Sequence, residues 1–303
     1  MARLSVVIST FERAAVLSRV LDRLDAQTAE GAFDVVIGVN AADPDTASVE
    51  RVAAGRSYPV QVVQGDEPGV SASRNCGWRA AREGLILFLG DDMLPAADLV
   101  ERHLARHAEH PDPRTGVLGH VRWADELPHT PFMDWLEQGV QFDFGTIRGT
   151  QAAWWHLYAC NASVSRELLE RVGGYDEAFR WGYEDLDLGL RLHRAGFELV
   201  YDRDAEVEHL HPPTLEAFRE RMRVVAGAER QFVAKHPEAD AYFLQRFERA
   251  EALPPARGRG VRLARFVPPG VPIIGTRVWF SMARWYDQQL APAFLEAWRA
   301  AER

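Results

Sequence analysis

Two adjacent carboxylates, Asp91 and Asp92, follow a run of apolar residues in the stretch LILFLGDDML at positions 85 to 94. Carboxylate oxygens are preferred ligands of hard cations such as Mg²⁺ and Mn²⁺, which proteins usually bind through one or two carboxylates plus substrate phosphates. The pair would also fit a turn in which an aspartate caps a helix that begins near Pro95. On its own it predicts either a metal site or a helix cap.

Two further acidic clusters favour the ligand site. One is DPD at positions 43 to 45, and the other is YEDLD at positions 183 to 187. In the second cluster Asp187 pairs at helical spacing with Arg191 and is predicted to be structural. Glu184 and Asp185 are candidates for chemistry, although acidic residues at these positions would also suit the N-terminus of a helix.

Two histidines alternate in the stretch EHLHPP, at positions 209 and 211. The stretch FELVYD at positions 197 to 202 is predicted to be a strand. If that strand continues, His209 and His211 lie on the same face. A neutral imidazole is a common metal ligand, whereas a single histidine is more often a packing residue. We expect at least one of the two to face the metal site.

The elements that must position these residues alternate between strands and helices, which is the pattern of a parallel sheet with covering helices. The predicted strands are LSVVIS (4 to 9), DVVIGV (34 to 39), YPVQVV (58 to 63) and LILFLG (85 to 90). Ligands of open α/β sheets bind outside the carboxyl ends of the strands. Three sets of residues should therefore emerge together: Ser9 with Thr10, Asn40, and Asp91 with Asp92.

The helices are predicted from apolar spacing and end signals. The first should bury Ala14, Leu17, Leu21 and Leu24, after a capping box from Ser9 to Glu12. A second runs through VSASRNCGWRAARE and ends before Gly84. Residues 129 to 163 are expected to form loops and short strands, and residues 213 to 236 a helix. Periodicity leaves the segment 186 to 192 undecided between strand and helix.

Composition restricts the class of protein. The chain has 303 residues, 47% of them hydrophobic and 26% charged, which is ordinary for a globular protein. Its net charge of −9 argues against a nucleic-acid partner. The two cysteines, Cys76 and Cys160, form no disulfide or metal motif, and no signal peptide or membrane span is evident. We expect a cytoplasmic protein.

Five segments, in order, resemble the family 2 glycosyltransferases of the GT-A fold: LSVVISTFERA, EPGVSASRNCGWRAAREGLILFLGDDMLP, ACNASVSRELLERVGGYDEAF, GYEDLDLGLRLHRAGFELVY and AEVEHLHPPT. The resemblance covers about residues 3 to 235. It implies an α/β fold with a Rossmann-like, mostly parallel sheet and flanking helices. It also implies inverting transfer of a sugar from a nucleotide diphosphate donor, a UDP-sugar being the expected one, in a reaction that depends on Mn²⁺ or Mg²⁺.

The resemblance also implies roles for individual residues. Asp92 would bind the metal, Asp91 would approach the ribose, and Asp185 would be the catalytic base. Many members have a third aspartate where this chain has Gly90. Members usually also have an aspartate that binds the uracil ring, where in this chain Asn40 or Asp43 must serve or the base differs. The remaining implied positions are the nucleotide-pocket residues Thr10, Arg13 and Arg74, the acceptor-side residue Glu184, the metal-side residues His209 and His211, and the acceptor-side aromatics Trp154, Trp155 and Trp181.

The predicted domain division is a glycosyltransferase domain over residues 1 to 235 and a helical C-terminal extension over 236 to 303. The first domain would comprise a nucleotide-sugar half, 1 to 125, and an acceptor half, 126 to 235. The aromatic-rich tail from Thr276 would dock onto the catalytic domain or a second subunit, or would lie on the inner membrane face where a lipid-linked acceptor is presented.

Alternative functions remain at this point. The expected acceptor is a hydroxyl of a glycan, a lipid-linked sugar or a small molecule. A nucleotide-sugar-binding protein without turnover is the competing interpretation, favoured by Gly90 and Asn40. A dinucleotide-dependent oxidoreductase is disfavoured because STFERA, after the first strand, contains no GxGxxG. A nucleotidyltransferase is disfavoured because no glycine-rich phosphate loop lies near the N-terminus.

Overall fold

The computed structural model describes residues 3–267, 271 and 274–301. Two compact units are present. The first groups Met1–Leu127 with Thr146–His211, and the second groups Pro128–Gly145 with Pro212–Arg303. The predicted candidate residues all lie in the first unit.

Within the described residues the strands and helices follow one another along the chain as β1 (Leu4–Thr10), α1 (Ala14–Asp25), β2 (Phe33–Val39), α2 (Thr46–Ala53), β3 (Val60–Gln64), α3 (Val70–Ala80), β4 (Leu85–Gly90), β5 (Met93–Pro95), α4 (Leu99–Glu109), β6 (Thr115–Trp123), α5 (Pro131–Leu136), β7 (Gln151–Ala152), β8 (Asn161–Ser165), α6 (Arg166–Val172), α7 (Glu184–Arg194), β9 (Glu198–His209), α8 (Leu215–Lys235), α9 (Tyr242–Ala252), α10 (Arg259–Ala264) and α11 (Ile274–Ala300). Two short 3₁₀ turns, Phe144–Thr146 and Trp154–His156, complete them.

The strands of the first unit form a single sheet in the order β3-β2-β1-β4-β8-β6-β9-β5, with β7 paired to β9. The four strands β3, β2, β1 and β4 are parallel, and β8 runs antiparallel to both β4 and β6. Continuous apolar sequence in β1, β2 and β4 is buried, as expected for strands covered on both faces. The carboxyl ends of β1, β2 and β4 therefore meet at one edge of the sheet.

The beginning of the first helix differs from the prediction. Ser9 is paired with Gly38 on one side and Gly90 on the other, so β1 continues to Thr10 and the expected capping box does not form. The helix begins only at Ala14. Its buried residues are Leu17, Val20, Leu21 and Leu24, with Val20 in place of the expected Ala14.

The helix α3 also ends earlier than predicted. It stops at Ala80, and Ala81 takes an extended conformation with ψ of 151°. Gly84 thus follows a short irregular segment instead of the helix itself. The chain therefore passes from α3 to β4 without the glycine cap that the sequence predicted.

The undecided segment is helical. The helix α7 begins after Tyr183, whose φ of +64° is rare for a residue with a side chain. Leu188 and Leu192, one helical turn apart, are buried. On the same helix Arg191 Nε donates to Asp187 Oδ2 at 2.8 Å, so Asp187 has the structural role predicted for it.

The segment 129 to 163 contains one helix that the sequence analysis missed, α5 of the second unit. Its start was visible in the sequence, because Thr130 caps the helix by accepting from the Met133 amide and Pro131 occupies the first turn. The helix has only 6 residues, too few for a periodic pattern.

The C-terminal part of the described chain is helical. The helix α11 packs against α5, α8, α9 and α10 of its own unit. Its buried residues include Met282, Tyr286, Leu290 and Phe294. In the described ranges no helix combines the length and the apolar character that crossing a bilayer requires.

Candidate active site

The two carboxylates that follow β4 are buried and held together by residues at the end of β1. Asp91 is 7% exposed and Asp92 is 9% exposed. The Thr10 hydroxyl donates to Asp91 Oδ2 at 2.8 Å. Arg13 Nη1 donates to both side chains, at 3.0 Å to Asp91 Oδ1 and at 2.7 Å to Asp92 Oδ2. The helix-cap alternative is wrong, since β5 follows the pair and Asp98 is the residue that precedes α4.

Both predicted histidines lie beside this pair. The end of β9 is fixed there because Met93 pairs with His209 and the amide of the following Leu210 donates to the Asp92 carbonyl oxygen at 2.9 Å. His209 Nε2 lies 3.5 Å from Asp92 Oδ2. The exposed His211 has Nδ1 at 3.3 Å from Arg13 Nη2.

The ring of His209 also packs against the ring of Trp123, a residue that the sequence analysis did not identify. The two rings are stacked with centroids 5.1 Å apart and an interplanar angle of 22°. Trp123 ends β6, the strand beside β9, so this contact is visible only once the strand order is known. The packing fixes the orientation of the imidazole toward Asp92.

The two carboxylates differ in their affinity for protons. Burial raises the pKa of Asp91 above the ordinary range of an aspartate, and the neighbouring charge of Asp92 adds to the effect. Burial also opposes ionisation of Asp92, but the His209 ring and the Arg13 guanidinium outweigh it and lower the pKa of Asp92. Asp92 is therefore ionised over the physiological range, as a metal ligand must be.

The chemistry of this cluster suits a divalent cation that a substrate helps to bind. In the part of the chain that the structure describes, no group of three or more His, Cys, Asp or Glu side chains is arranged to hold a metal by itself. An ionised Asp92 with His209 beside it supplies carboxylate oxygen and imidazole nitrogen, and donor phosphates can complete the coordination. The bound Arg13 guanidinium shows that the pair accommodates a positive group.

The second cluster forms at the start of α7, in its first turn. Arg74 Nη1, from α3, donates to Glu184 Oε1 and to Asp185 Oδ1, each at 3.0 Å. The Ala159 amide donates to Asp185 Oδ2 at 3.1 Å. Arg74 in turn lies over the ring of Tyr175, 5.2 Å from its centroid. Arg74, predicted in the nucleotide pocket, is thus in contact with the candidate base.

The electrostatics of this cluster make Asp185 a stronger base than an ordinary aspartate. Burial raises the pKa of Asp185 to about 6, against the opposing effect of Arg74, while the charge of Glu184 raises it further. About a quarter of the Asp185 side chain, 25%, remains exposed. A carboxylate with this affinity can accept a proton near neutral pH and is open to a ligand.

A short segment before β8 joins the two clusters. The Ala159 amide donates to Asp185, and the next residue, Cys160, accepts a hydrogen bond at its carbonyl oxygen from the Gly90 amide at 3.2 Å. Burial, Asp185 and Asp92 all raise the pKa of the Cys160 thiol, so the thiol lies within the field of both carboxylates. The segment ACNAS was noted for its resemblance, but this bridging position could not be derived from spacing.

The glycine at the family's third aspartate position has a packing explanation. A Cβ atom at Gly90 would lie 2.7 Å from Met93 Cγ, 3.3 Å from Asp92 Oδ1 and 3.5 Å from Cys160 Cβ. A side chain there would press on Met93 and on the carboxylate of Asp92. Gly90 therefore leaves room for the Met93 side chain and the Asp92 carboxylate at the end of β4.

The end of β2 contributes a structured loop. Asp43 Oδ2 accepts from the Glu12 amide at 2.7 Å and its Oδ1 accepts from the Asp45 amide at 2.9 Å. Asn40 Oδ1 accepts from the Ala42 amide at 3.0 Å. Because both oxygens of Asp43 bind backbone amides, Asp43 orders the loop and holds Glu12 at a φ of +53°.

The aromatic residues predicted on the acceptor side lie on exposed turns. Trp155 is 48% exposed and Trp181 is 40% exposed. The carbonyl oxygen of Trp154 would lie 2.5 Å from a Cβ atom at Gly189, so the Trp154–His156 turn rests directly on α7. The turn and the candidate base therefore share one supporting helix.

Comparison with known proteins decides the family. Residues 2–227 match the family described as glycosyltransferase like family 2. The chain belongs to this family. Among named relatives it is similar to validoxylamine A glucosyltransferase of Streptomyces hygroscopicus subsp. jinggangensis (strain 5008), with 32% identity over 264 residues that cover 77% of this chain and 61% of the relative. It is also similar to hyaluronan synthase of Pasteurella multocida, with 26% identity over 243 residues, 69% of this chain and 25% of that protein.

Solved structures of other proteins share the fold. The mannosyltransferase PcManGT from Pyrobaculum calidifontis, solved with GDP-Man and Mn²⁺, has a TM-score of 0.64 at 20% identity, over 97% of this chain and 87% of that one. S. aureus TarS 1-349, solved with UDP, has a TM-score of 0.54 at 15% identity, over 99% and 92%. The predicted GT-A fold is confirmed. The chain spans less than two thirds of the length of its named relatives.

Proposed function

We propose that the protein is a metal-dependent inverting glycosyltransferase that moves a sugar from a nucleotide diphosphate donor to an acceptor hydroxyl. One observation carries the proposal: the pair Asp91 and Asp92 and the candidate base Asp185 meet through residues 159 and 160 at one edge of the sheet. This transfer requires one carboxylate that can bind a metal ion and, close to it, a second carboxylate that can accept a proton. Family membership supports the same reaction class.

The donor would bind at the ends of β1, β2 and β4. We assign the ribose to Asp91 and the divalent ion to Asp92, with His209 or His211 closing on the ion or the phosphates. Such an ion, when bound, would neutralise charge that develops on the departing diphosphate. Arg13, whose side chain is 37% exposed, can turn from the carboxylates to the phosphates.

The base of the donor is assigned to the loop after β2 and to neighbouring β1. Ser9 and Thr10 would line the pocket, and Asn40 would contact the base ring, since Asp43 is committed to the backbone. We expect a UDP-sugar. Structurally similar proteins bind UDP in one case and GDP-Man in another, so the base must be measured.

The acceptor would bind beside Asp185. Its hydroxyl loses a proton to Asp185 as the oxygen attacks the anomeric carbon, and the bond from that carbon to the diphosphate breaks on the opposite side. Configuration is therefore inverted. The Ala159 amide and Arg74 hold the carboxylate in place, and Glu184 beside it would orient the acceptor. The exposed Trp155 and Trp181 offer faces for stacking on a sugar.

The decisive experiment is a panel of UDP-, GDP- and dTDP-sugars tested by thermal shift and by donor hydrolysis, with and without Mn²⁺. We expect one nucleotide class to raise the melting temperature and to be hydrolysed, both in a Mn²⁺-dependent manner. No response to any donor would overturn the proposal.

A second candidate, a nucleotide-sugar-binding protein without turnover, draws on one observation. Arg74 already pairs with both Glu184 and Asp185, which weakens a carboxylate that must accept a proton. The same panel separates the two functions. Mn²⁺-dependent stabilisation by a donor without hydrolysis, and without transfer to a set of glycan, lipid-linked and small-molecule acceptors, would favour the binding protein.

A further inference from the structure

The second unit carries a strongly basic stretch in an acidic chain. Residues 252 to 286 contain no Asp or Glu, whereas the whole protein has a net charge of −9. The arginines of this stretch are Arg257, Arg259, Arg262, Arg265, Arg277 and Arg284. Among the described residues none of them forms a salt bridge, so their charge is not neutralised locally.

Large apolar side chains are exposed among these arginines. Leu263 is 50% exposed, Phe266 82%, Ile274 60% and Phe280 68%. Isolated exposed apolar residues are normal, but a group of this size within one short stretch of chain indicates a contact surface. Residues 257–266 and 274–284 are called the basic surface below.

The basic surface is held together by packing. Gly260 of α10 approaches α11 so closely that a Cβ atom there would lie 2.8 Å from the Met282 amide nitrogen. Trp279 Nε1 donates to the Val267 carbonyl oxygen at 2.7 Å. These two contacts hold α10 and the segment after it against α11.

On α11 the exposed positions recur at helical spacing. Ile274, Arg277 and Phe280 are three residues apart and share one side of the helix, which the half-buried Arg284 continues. The opposite side, with Val278, Met282 and Tyr286, is buried in the unit. An exposed side that mixes Arg with Ile and Phe is the pattern of a helix that lies in a membrane interface.

We propose that the basic surface binds the anionic face of a phospholipid membrane. Arginines attract anionic headgroups, and the exposed Leu, Ile and Phe side chains enter the boundary between headgroups and acyl chains. The competing occupant is a second copy of the chain. Apposition of two such surfaces would bring six arginines against six without a compensating carboxylate, which disfavours a symmetric dimer.

The test is co-sedimentation of the full chain with vesicles of phosphatidylglycerol and phosphatidylcholine, compared with phosphatidylcholine alone. We expect binding to the anionic vesicles only, weakened by added salt because the attraction is screened. Arg262→Gln with Arg265→Gln should lower the partition coefficient about 25-fold, at about fivefold for each arginine. Phe266→Ser with Phe280→Ser should lower it independently of salt.

The matched control is Val224→Ser with Arg171→Gln, which removes an exposed apolar side chain and an exposed arginine outside the basic surface. This variant should bind vesicles as the wild type does. All variants alter exposed residues, and their melting temperatures show whether they are folded. Wild-type protein that ignores anionic vesicles would overturn the proposal, as would equal binding by the variants. Self-association that the same substitutions abolish, without vesicle binding, would assign the surface to a second copy.

Discussion

Two pairs of adjacent carboxylates lie at the same sheet edge, and each is bound by one arginine. Asp91 and Asp92 end a strand and face Arg13, whereas Glu184 and Asp185 begin a helix and face Arg74. The arginines differ in freedom. The Arg13 side chain is 37% exposed, but that of Arg74 is 13% exposed and lies over the Tyr175 ring.

This difference indicates different tasks for two similar charge arrangements. An exposed arginine can leave its carboxylates when another cation and an anionic ligand arrive, so the first pair is suited to exchange. A buried arginine that lies over an aromatic ring is not free to turn away from its carboxylates, so the second pair is suited to holding one geometry. Binding of the donor belongs to the first pair in this interpretation, and positioning of the base belongs to the second.

The largest expected effect comes from the base itself. Asp185→Asn removes the proton acceptor and should lower kcat by about 100- to 10,000-fold, the usual contribution of general base catalysis. Donor affinity should change little, because the donor contacts the other pair. Steady-state transfer and isothermal titration with the donor measure the two quantities.

Asp187→Asn is the control, since Asp187 lies in the same helical turn but binds Arg191. It should destabilise the protein while leaving the turnover of folded molecules largely intact. Turnover by Asp185→Asn equal to that of the wild type would refute the assignment of the base.

A comparison of the two arginines tests the difference in freedom directly. Arg74→Gln leaves two mostly buried carboxylates without their cation and should lower the free energy of unfolding by about 2 kcal/mol, less than for a fully buried pair because Asp185 is partly exposed. Arg13→Gln should cost less than Arg74→Gln, since the Arg13 side chain is accessible to water and Asp92 keeps His209 beside it. Urea denaturation gives both values. Equal losses would remove the distinction between an exchangeable and a fixed cation.

If Asp92 binds the metal ion, its replacement should weaken donor binding only when Mn²⁺ is present. Asp92→Asn should weaken donor binding in Mn²⁺ by roughly 10- to 100-fold, the range expected for loss of one contribution to a metal site, and should leave metal-free binding almost unchanged. Removal of Mn²⁺ from the wild type by a chelator should have the same effect. The matched control is Asp204→Asn, whose side chain is 72% exposed. A variant that keeps the full Mn²⁺-dependent affinity would exclude Asp92 as the ligand.

The sequence predicted the surroundings of Asp91 and Asp92 more completely than those of Glu184 and Asp185. Strand alternation and apolar runs predicted β1, β2 and β4, and parallel pairing then required Thr10 and Asp91 to meet. The arginine contacts were not predictable, because Arg13 and Arg74 reach their partners across 78 and 110 residues of sequence. The sequence did not decide whether the segment after Asp185 is a strand or a helix, because its leucines fit both the two-residue period of a strand and the spacing of a helix. Only tertiary packing decides between the two.

The bridge through Ala159 and Cys160 was beyond sequence reasoning for a different reason. Its hydrogen bonds are made by backbone amides and carbonyls, which carry no residue-type signal. Gly90 is a second example: in the sequence it favoured a protein without turnover, whereas in the structure the close approach of Met93 explains why no side chain is present. Features made by the backbone or by close packing require the strand order, whereas residue types alone sufficed for the candidate carboxylates.

The smallest expected effect is a shift in the pH dependence of kcat/KM, which tests whether Arg74 acts on the base as well as on the fold. Asp185 must be ionised to accept a proton, and burial raises its pKa to about 6, so kcat/KM should fall as the pH falls through about 6. Arg74 stabilises the ionised carboxylate, and its removal raises the pKa of Asp185 further. The acidic limb of the profile for Arg74→Gln should therefore move to higher pH, whereas Arg79→Gln, an exposed arginine of the same helix paired with Glu177, should leave it in place. A profile for Arg74→Gln that coincides with the wild type, measured on protein shown to be folded across the pH range, would mean that Arg74 holds the helix and does not tune the base.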